Sequence, residues 1–197
     1  MLTAGENIEI SDGMKGNNLS LIHILLEQVK DVIGEYIYSC DNEELAEVTA
    51  KKLLEHNVTL SSAESCTGGM FAAAMTGIPG ISKVFDRSLV TYSNEAKMQE
   101  LGVKEETLKK YGAVSEETAR EMAEGLYRVS GSGICISVTG IAGPDGGSDE
   151  KPVGLVYIGL HYQGKTQCKK LQMRNVSRNW NRNFAMLSML DLIRRLF

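Results

Sequence analysis

Histidine is scarce in this chain, three among 197 residues, so chemistry built on imidazole has few candidates: His23, His56 and His161. Cysteine is nearly as sparse. Cys40, Cys66, Cys135 and Cys168 are widely spaced and form no C-x-x-C pair. That argues against a disulfide framework or a zinc site and fits a reducing, cytoplasmic setting. Excess positive charge is missing too: 21 Lys and Arg against 25 Asp and Glu give a net charge of −4. A general nucleic-acid binder shows the opposite balance. No apolar run approaches the roughly 20 residues of a membrane-spanning helix, and the polar stretch 1–18 has no apolar segment of signal-peptide type. Repeats and low-complexity tracts are absent. What is there is a chain 43% hydrophobic, long enough for one substantial core and a small appendage.

Periodicity divides that chain into elements. Residues 1–17 read as a loose leader, and from Leu19 the apolar positions Ile22, Leu25, Leu26, Val29, Val32 and Ile33 recur at helical spacing. Tyr36-Ile37-Tyr38 reads as a short strand. Asp41, with Glu44 three positions on, reads as the N-cap of a helix with Ala46, Ala50, Leu53 and Leu54 on one face. A strand over 57–62 leads to a helix over 68–76, broken by Gly77-Ile78-Pro79-Gly80. A strand over 87–93 precedes a helix capped by Ser93 or Asn94 and ending at Leu101, and 105–110 adds a further helical turn. Ser115 caps a clearer helix with Ala119, Met122, Ala123 and Leu126 on one face. The apolar run 134–138 has the pattern of a strand buried on both sides. Strands over 153–161 and 165–173 meet at Gln163-Gly164 as a hairpin, and a last helix over 177–197 buries Ala185, Met189, Leu192, Ile193 and Leu196. Strands alternating with helices, then a hairpin, predict an α/β fold: a three-layer α/β/α sandwich with a mixed sheet over 41–197, plus a small N-terminal helical appendage over 1–40.

Three segments have compositions that packing alone would not favour, and all three follow predicted strands: Glu64-Ser65-Cys66-Thr67-Gly68-Gly69, Thr91-Tyr92-Ser93-Asn94-Glu95-Ala96-Lys97, and Thr139-Gly140-Ile141-Ala142-Gly143-Pro144-Asp145-Gly146-Gly147. Ligands of open α/β sheets bind outside the carboxyl ends of strands, so one cleft collects all three. A serine hydroxyl needs a base before it attacks an amide. With histidine scarce, Lys97 is the natural partner of Ser65, because a desolvated lysine can accept a proton; Tyr92 could relay that proton or orient the amine. The N–H groups of Thr67, Gly68 and Gly69, at a helix N-terminus, read as unpaired donors for an oxyanion. Thr139, Gly140, Ile141, Ala142 and Gly143 read as close backbone contacts to a ligand, and Lys151-Pro152-Val153-Gly154 returns the chain to the cleft wall. The glycine-rich segment is not a P-loop, since no Lys-Ser or Lys-Thr pair follows at Walker spacing. Gly131-Ser132-Gly133 precedes a strand, so the dinucleotide fingerprint fails as well. Asp145, Asp149 and Glu150 read as a solvated acidic loop in preference to a metal set. Arg174, Arg178 and Arg182, spaced four apart, could hold a phosphate or form the polar side of the last helix. A rival reading makes Cys66 the nucleophile with His161 as base.

Together the segments resemble the C-terminal domain of the CinA family (competence/damage-inducible protein A), whose members include bacterial nicotinamide mononucleotide deamidases. The residues that carry the resemblance are Ala63 to Gly69, Val90 to Lys97, Gly112-Ala113-Val114-Ser115, Thr139 to Gly147 and Lys151 to Gly154, and it extends over about 42–197. It implies an α/β/α fold and a serine/lysine amidohydrolase, without cofactor or metal, that converts nicotinamide mononucleotide to nicotinic acid mononucleotide and ammonia. The expected partner is a small-molecule mononucleotide, with neither nucleic acid nor membrane, and a homo-oligomer is expected. Residues 19–41 resemble the tail of the small middle domain of longer members. The molybdopterin-binding-like domain of those members has no counterpart here, so its pyrophosphatase activity is not carried over. Many relatives have Gly-Asp-Arg before the last helix, where this chain has Met173-Arg174-Asn175-Val176-Ser177-Arg178. The alternative is a non-catalytic nucleotide-sensing or partner-binding domain that kept the cleft.

Overall fold

The computed structural model describes Leu25 and residues 28–174 and 176–197. The chain divides after Asn42 into two units. In the first, residues 28–33 are helical, and the earlier part of the helix expected from Leu19 lies outside the described residues apart from Leu25. Gly34–Tyr36 is a 3-10 turn closed by the Ile37 N–H donating to the Gly34 carbonyl at 3.1 Å. The strand expected at 36–38 does not form. Among the described residues no neighbouring strand pairs with it, and an unpaired strand leaves its backbone groups unsatisfied.

The second unit is built on five strands: β1 (Leu60–Glu64), β2 (Phe85–Val90), β3 (Ile134–Gly140), β4 (Leu155–Tyr162) and β5 (Lys165–Gln172), in the order β2-β1-β3-β4-β5. β1 runs parallel to β2 and β3, and β4 is antiparallel to both its neighbours, so the sheet is mixed. Six helices flank it: α1 (Leu45–His56), α2 (Met70–Thr76), α3 (Asn94–Leu101), α4 (Glu105–Tyr111), α5 (Glu116–Ser130) and α6 (Arg178–Arg194). Parallel neighbours need crossover connections, supplied by α2 between β1 and β2 and by α3, α4 and α5 between β2 and β3. The hairpin turns at Gln163 (φ 50°) and Gly164 (φ 71°), the left-handed pair that a two-residue loop needs. No helix among the described residues is long and apolar enough to cross a membrane.

Side-chain alternation separates the two cores. Ile134, Ile136 and Val138 face Leu53 of α1, Phe71 and Met75 of α2, and Ala185, Met189 and Ile193 of α6. On the other face Ala63 and Cys135 meet Leu101, Leu108, Met122 and Leu126 from α3, α4 and α5. That second face is lined with small residues because α5 lies close against it. The Ser137 hydroxyl donates to the Ala119 carbonyl at 2.6 Å, and a Cβ on Gly159 would sit 2.3 Å from the same oxygen.

Ser93, Ser115 and Ser177 are the N-caps of α3, α5 and α6, each accepting the N–H three residues on. Asp41 is not a cap. Asn42 takes a left-handed conformation (φ 57°), and the first turn of α1 starts later, with the Glu47 carboxylate accepting the Glu44 N–H at 2.7 Å. β1 also lies later than the expected 57–62. That shift makes Glu64 the last strand residue and Ser65 the first beyond it.

Candidate active site

The carboxyl ends of the three parallel strands lie side by side, with Glu64 paired to both Val90 and Val138. The Ser65 N–H continues the ladder by donating to the Val138 carbonyl at 3.1 Å, which fixes the residue that carries the hydroxyl. Lys97 comes from the first turn of α3. Its side chain turns inward and is only 1% exposed, and its Nζ lies 3.1 Å from Ser65 Oγ. The carbonyls of Thr91 at 2.7 Å and Tyr92 at 3.3 Å accept from the same nitrogen, with that of Ser93 at 3.5 Å. Burial lowers the pKa of this amine from the ordinary lysine value, and neighbouring Cys66 pulls the other way. A neutral amine has two N–H donors, which Thr91 and Tyr92 can take. Its lone pair is then left for the serine proton.

Tyr92 is 62% exposed and reaches Lys97 through its main-chain carbonyl, not its ring. Its hydroxyl accepts from Arg178 Nη2 at 3.1 Å, and Arg178 Nη1 donates to the Gly143 carbonyl at 2.7 Å. Arg178 is the first residue of α6, where a cation opposes the helix dipole; its guanidinium turns away to bridge the second and third segments. The cleft is about 190 Å³ and is lined by Ser65, Cys66, Tyr92, Lys97 and Arg178, with Ala113, Val114, Thr139, Gly140 and Ala142.

The family model described as the CinA C-terminal domain matches residues 42–197. The chain belongs to that family. A competence-damage inducible protein of Acetivibrio thermocellus is 52% identical over 171 residues, 87% of this chain and 41% of the relative. A CinA-like protein of Kosmotoga olearia is 49% identical over 190 residues, 96% of this chain and 44% of the relative. The chain thus spans less than half the length of these curated relatives. Among solved structures, competence/damage inducible protein CihA from Agrobacterium tumefaciens is 41% identical with a TM-score of 0.76, covering 81% of this chain and 98% of that one. A CinA superfamily protein from Escherichia coli is 30% identical with a TM-score of 0.74, covering 83% of this chain and 98% of that one.

Within this CinA domain the other residues singled out in the sequence fall into two groups. Thr139, Gly140 and Ala142 line the cleft. Gly140 has no room for a side chain, since a Cβ there would lie 2.4 Å from Val156 Cγ2. Thr139 spends its hydroxyl on the Ala113 carbonyl at 2.8 Å. Thr67, Gly68, Gly69, Ile141, Gly143 and Gly154 are not among the lining residues. Gly68 and Gly69 do not offer free N–H groups: Gly68 donates to the Ser65 carbonyl at 3.1 Å and Gly69 to Glu64 Oε2 at 2.9 Å. Glu64 reaches over the turn and takes the donors at the start of α2. Ile141 and Gly154 are seam residues, with the Gly154 N–H donating to the Ile141 carbonyl at 2.8 Å, and Gly143 serves as the carbonyl anchor of Arg178. Among the described residues, the N–H groups of Thr67, Ala142 and Gly143 donate to no protein oxygen.

Sequence reasoning included Glu64 in the first segment but gave it no role, and it left Arg178 and Arg182 as two equal positions in one series. Their i, i+4 spacing puts both on one helix face, yet they do different work: Arg182 donates to the carbonyls of Cys66 at 3.2 Å and Thr67 at 2.8 Å and so braces the turn after Ser65. The Cys66–His161 rival fails on position. His161 pairs with Cys135, which pairs with Ser61, four residues before Ser65. That is about 13 Å along the strand at roughly 3.3 Å per residue. His161 bonds Thr166 and lines a different cavity. Burial pushes the Cys66 thiol up to about 12, which keeps it protonated. Asp145, Asp149 and Glu150 are exposed, and no group of three or more metal-ligating side chains gathers among the described residues.

Proposed function

We propose that this CinA domain is a serine/lysine amidohydrolase that removes the amide nitrogen of nicotinamide mononucleotide, giving nicotinic acid mononucleotide and ammonia. One observation carries the reading: a buried amine 3.1 Å from a serine oxygen, at the floor of a cleft formed by three strand ends. As Ser65 Oγ bonds to the carboxamide carbon, its proton passes to Lys97 Nζ. The C–N bond then breaks, and Lys97 returns the proton to the departing ammonia. A water deprotonated by the same amine attacks the acyl ester, releasing the carboxylate and restoring the serine hydroxyl. The main-chain N–H of Ala142, which lines the cleft without a protein acceptor among the described residues, is the oxyanion donor, because Glu64 occupies the start of α2.

Cleft size supports a split substrate. At about 190 Å³ it is smaller than the roughly 300–1,000 Å³ of a pocket that engulfs a drug-sized ligand. It suits the reacting pyridine carboxamide, with ribose and phosphate at the rim. Arg178, exposed there with further N–H donors in hand, is the cation available to the phosphate.

The test is ammonia release from nicotinamide mononucleotide, with free nicotinamide as comparison. Ser65→Ala removes turnover and leaves the fold intact, since the only hydrogen bond of its Oγ among the described residues is to Lys97. Arg178→Ala raises KM for the mononucleotide and leaves that for nicotinamide unchanged. Mononucleotide binding with no ammonia from the unaltered protein would overturn the reading in favour of a nucleotide sensor.

A further inference from the structure

Glu64 is fully buried, and no lysine, arginine or histidine side chain pairs with it among the described residues. Its carboxylate is nevertheless saturated. Oε2 accepts the N–H of Gly69 at 2.9 Å and of Phe71 at 3.2 Å, and Oε1 accepts the N–H of Ala72 at 2.9 Å and the hydroxyl of Ser88 at 3.2 Å. The Ser88 hydroxyl also accepts from Ser62 at 2.7 Å, so the network spans β1, the edge strand β2 and the start of α2. A carboxylate held by three main-chain donors at a helix start is stabilised by the helix dipole in place of a cation.

Its place in the chain gives this network a further consequence. Successive strand residues point to opposite faces, so the Glu64 carboxylate lies toward α2 while the next side chain, Ser65, lies toward Lys97. The Glu64 main-chain carbonyl accepts the Thr91 N–H at 2.8 Å, and the Thr91 carbonyl is the nearest partner of Lys97 Nζ at 2.7 Å. One residue therefore touches the frame of both members of the pair. Among the described residues the Ser65 main chain is held by its N–H bond to Val138 and its carbonyl bond from Gly68, and its hydroxyl meets Lys97.

We propose that Glu64 is a positioning residue that sets the 3.1 Å approach of Ser65 to Lys97 by clamping the β1–α2 turn to β2, a role that rests on the serine/lysine reading. A displacement of about 1 Å in a reacting pair can cost on the order of 100-fold in rate. Glu64→Gln keeps the shape, removes the charge and replaces one acceptor oxygen with a donor nitrogen facing N–H groups.

The experiment measures kcat and KM for ammonia release per folded molecule, alongside the rate at which an aryl fluorophosphonate labels Ser65. In that labelling the Oγ–P bond forms, fluoride leaves and the serine proton passes to Lys97. Glu64→Gln is expected to lower kcat and the labelling rate together, each by about 10- to 100-fold, with KM unchanged. Ser88→Ala removes one of the four bonds and lowers both by severalfold; it keeps the proposal testable if the first variant does not fold. Turnover and labelling within twofold of the unaltered protein in a folded Glu64→Gln, or in Ser88→Ala if that variant is unfolded, would overturn it. If the unaltered protein is labelled at Ser65 but releases no ammonia, the amidase reading fails. The fall in labelling on Glu64→Gln still decides the positioning role.

Discussion

Replacing Lys97 with methionine separates what the buried amine does for chemistry from what it does to stability. Methionine has a similar length and no charge. Loss of a general base costs about 100- to 10,000-fold in turnover, equivalent to about 2.7–5.4 kcal/mol of transition-state stabilisation. Stability moves far less, because two effects oppose. The Thr91 carbonyl, now 2.7 Å from its partner, becomes a buried acceptor without a donor, at about 1–3 kcal/mol. Removing an amine that is 1% exposed relieves a desolvation cost of comparable size. A net change within about 1 kcal/mol keeps Tm within about 4 °C. The pH dependence follows from the lowered pKa of Lys97. Between its folded and unfolded values the unfolded chain binds the extra proton, so stability rises with pH across that window. Below the folded value both states are protonated and the penalty is fully present. Lys97→Met removes this rise, and the stability gain over the unaltered protein is greatest on the acid side. In activity, ammonia release climbs with pH as the amine loses its proton, with the midpoint of the rise below 10.5, the ordinary lysine value. Calorimetric melts and initial rates from neutral to alkaline pH read both curves. A Lys97→Met protein that keeps more than a tenth of normal turnover would refute the reasoning.

Two further outcomes follow from the geometry. Since burial pushes the Cys66 thiol up to about 12, iodoacetamide at neutral pH modifies exposed Cys40 well ahead of Cys66, and Cys66→Ser keeps ammonia release within severalfold; peptide mapping and the rate assay check both. Gly154→Ala loads the seam between β4 and β5: φ is +90° and the new Cβ would fall 2.3 Å from the Met173 carbonyl oxygen. Strain of about 1–3 kcal/mol lowers Tm by roughly 2–12 °C, read by thermal denaturation.

The local elements were legible because each rests on a few neighbouring residues. Ser93, Ser115 and Ser177 cap the helices that follow them because a hydroxyl reaches only the next turn. The apolar run 134–138 marks a strand buried on both faces before any partner is known. Ser65 and Lys97 stood out because both follow strands, and parallel strands bring their carboxyl ends together. The 36–38 strand failed because extended residues need a neighbour that sequence does not supply. Asp41 failed because the left-handed turn at Asn42 delays the helix.

By itself the sequence placed Ser65 and Lys97 downstream of strands and marked them as a candidate pair, although β1 ends later than its composition suggested. Only tertiary structure decided who owns the hydrogen-bond donors around them. The Gly68 and Gly69 N–H groups look free in the chain, yet one closes a turn and the other goes to Glu64. Arg178 and Arg182 look alike in the chain, yet one spans the cleft rim and the other holds the turn. Periodicity is a local property and can be read along one dimension. The satisfaction of buried polar groups depends on which distant side chain arrives within 3 Å, and that is settled only when sheet, helices and loops pack together.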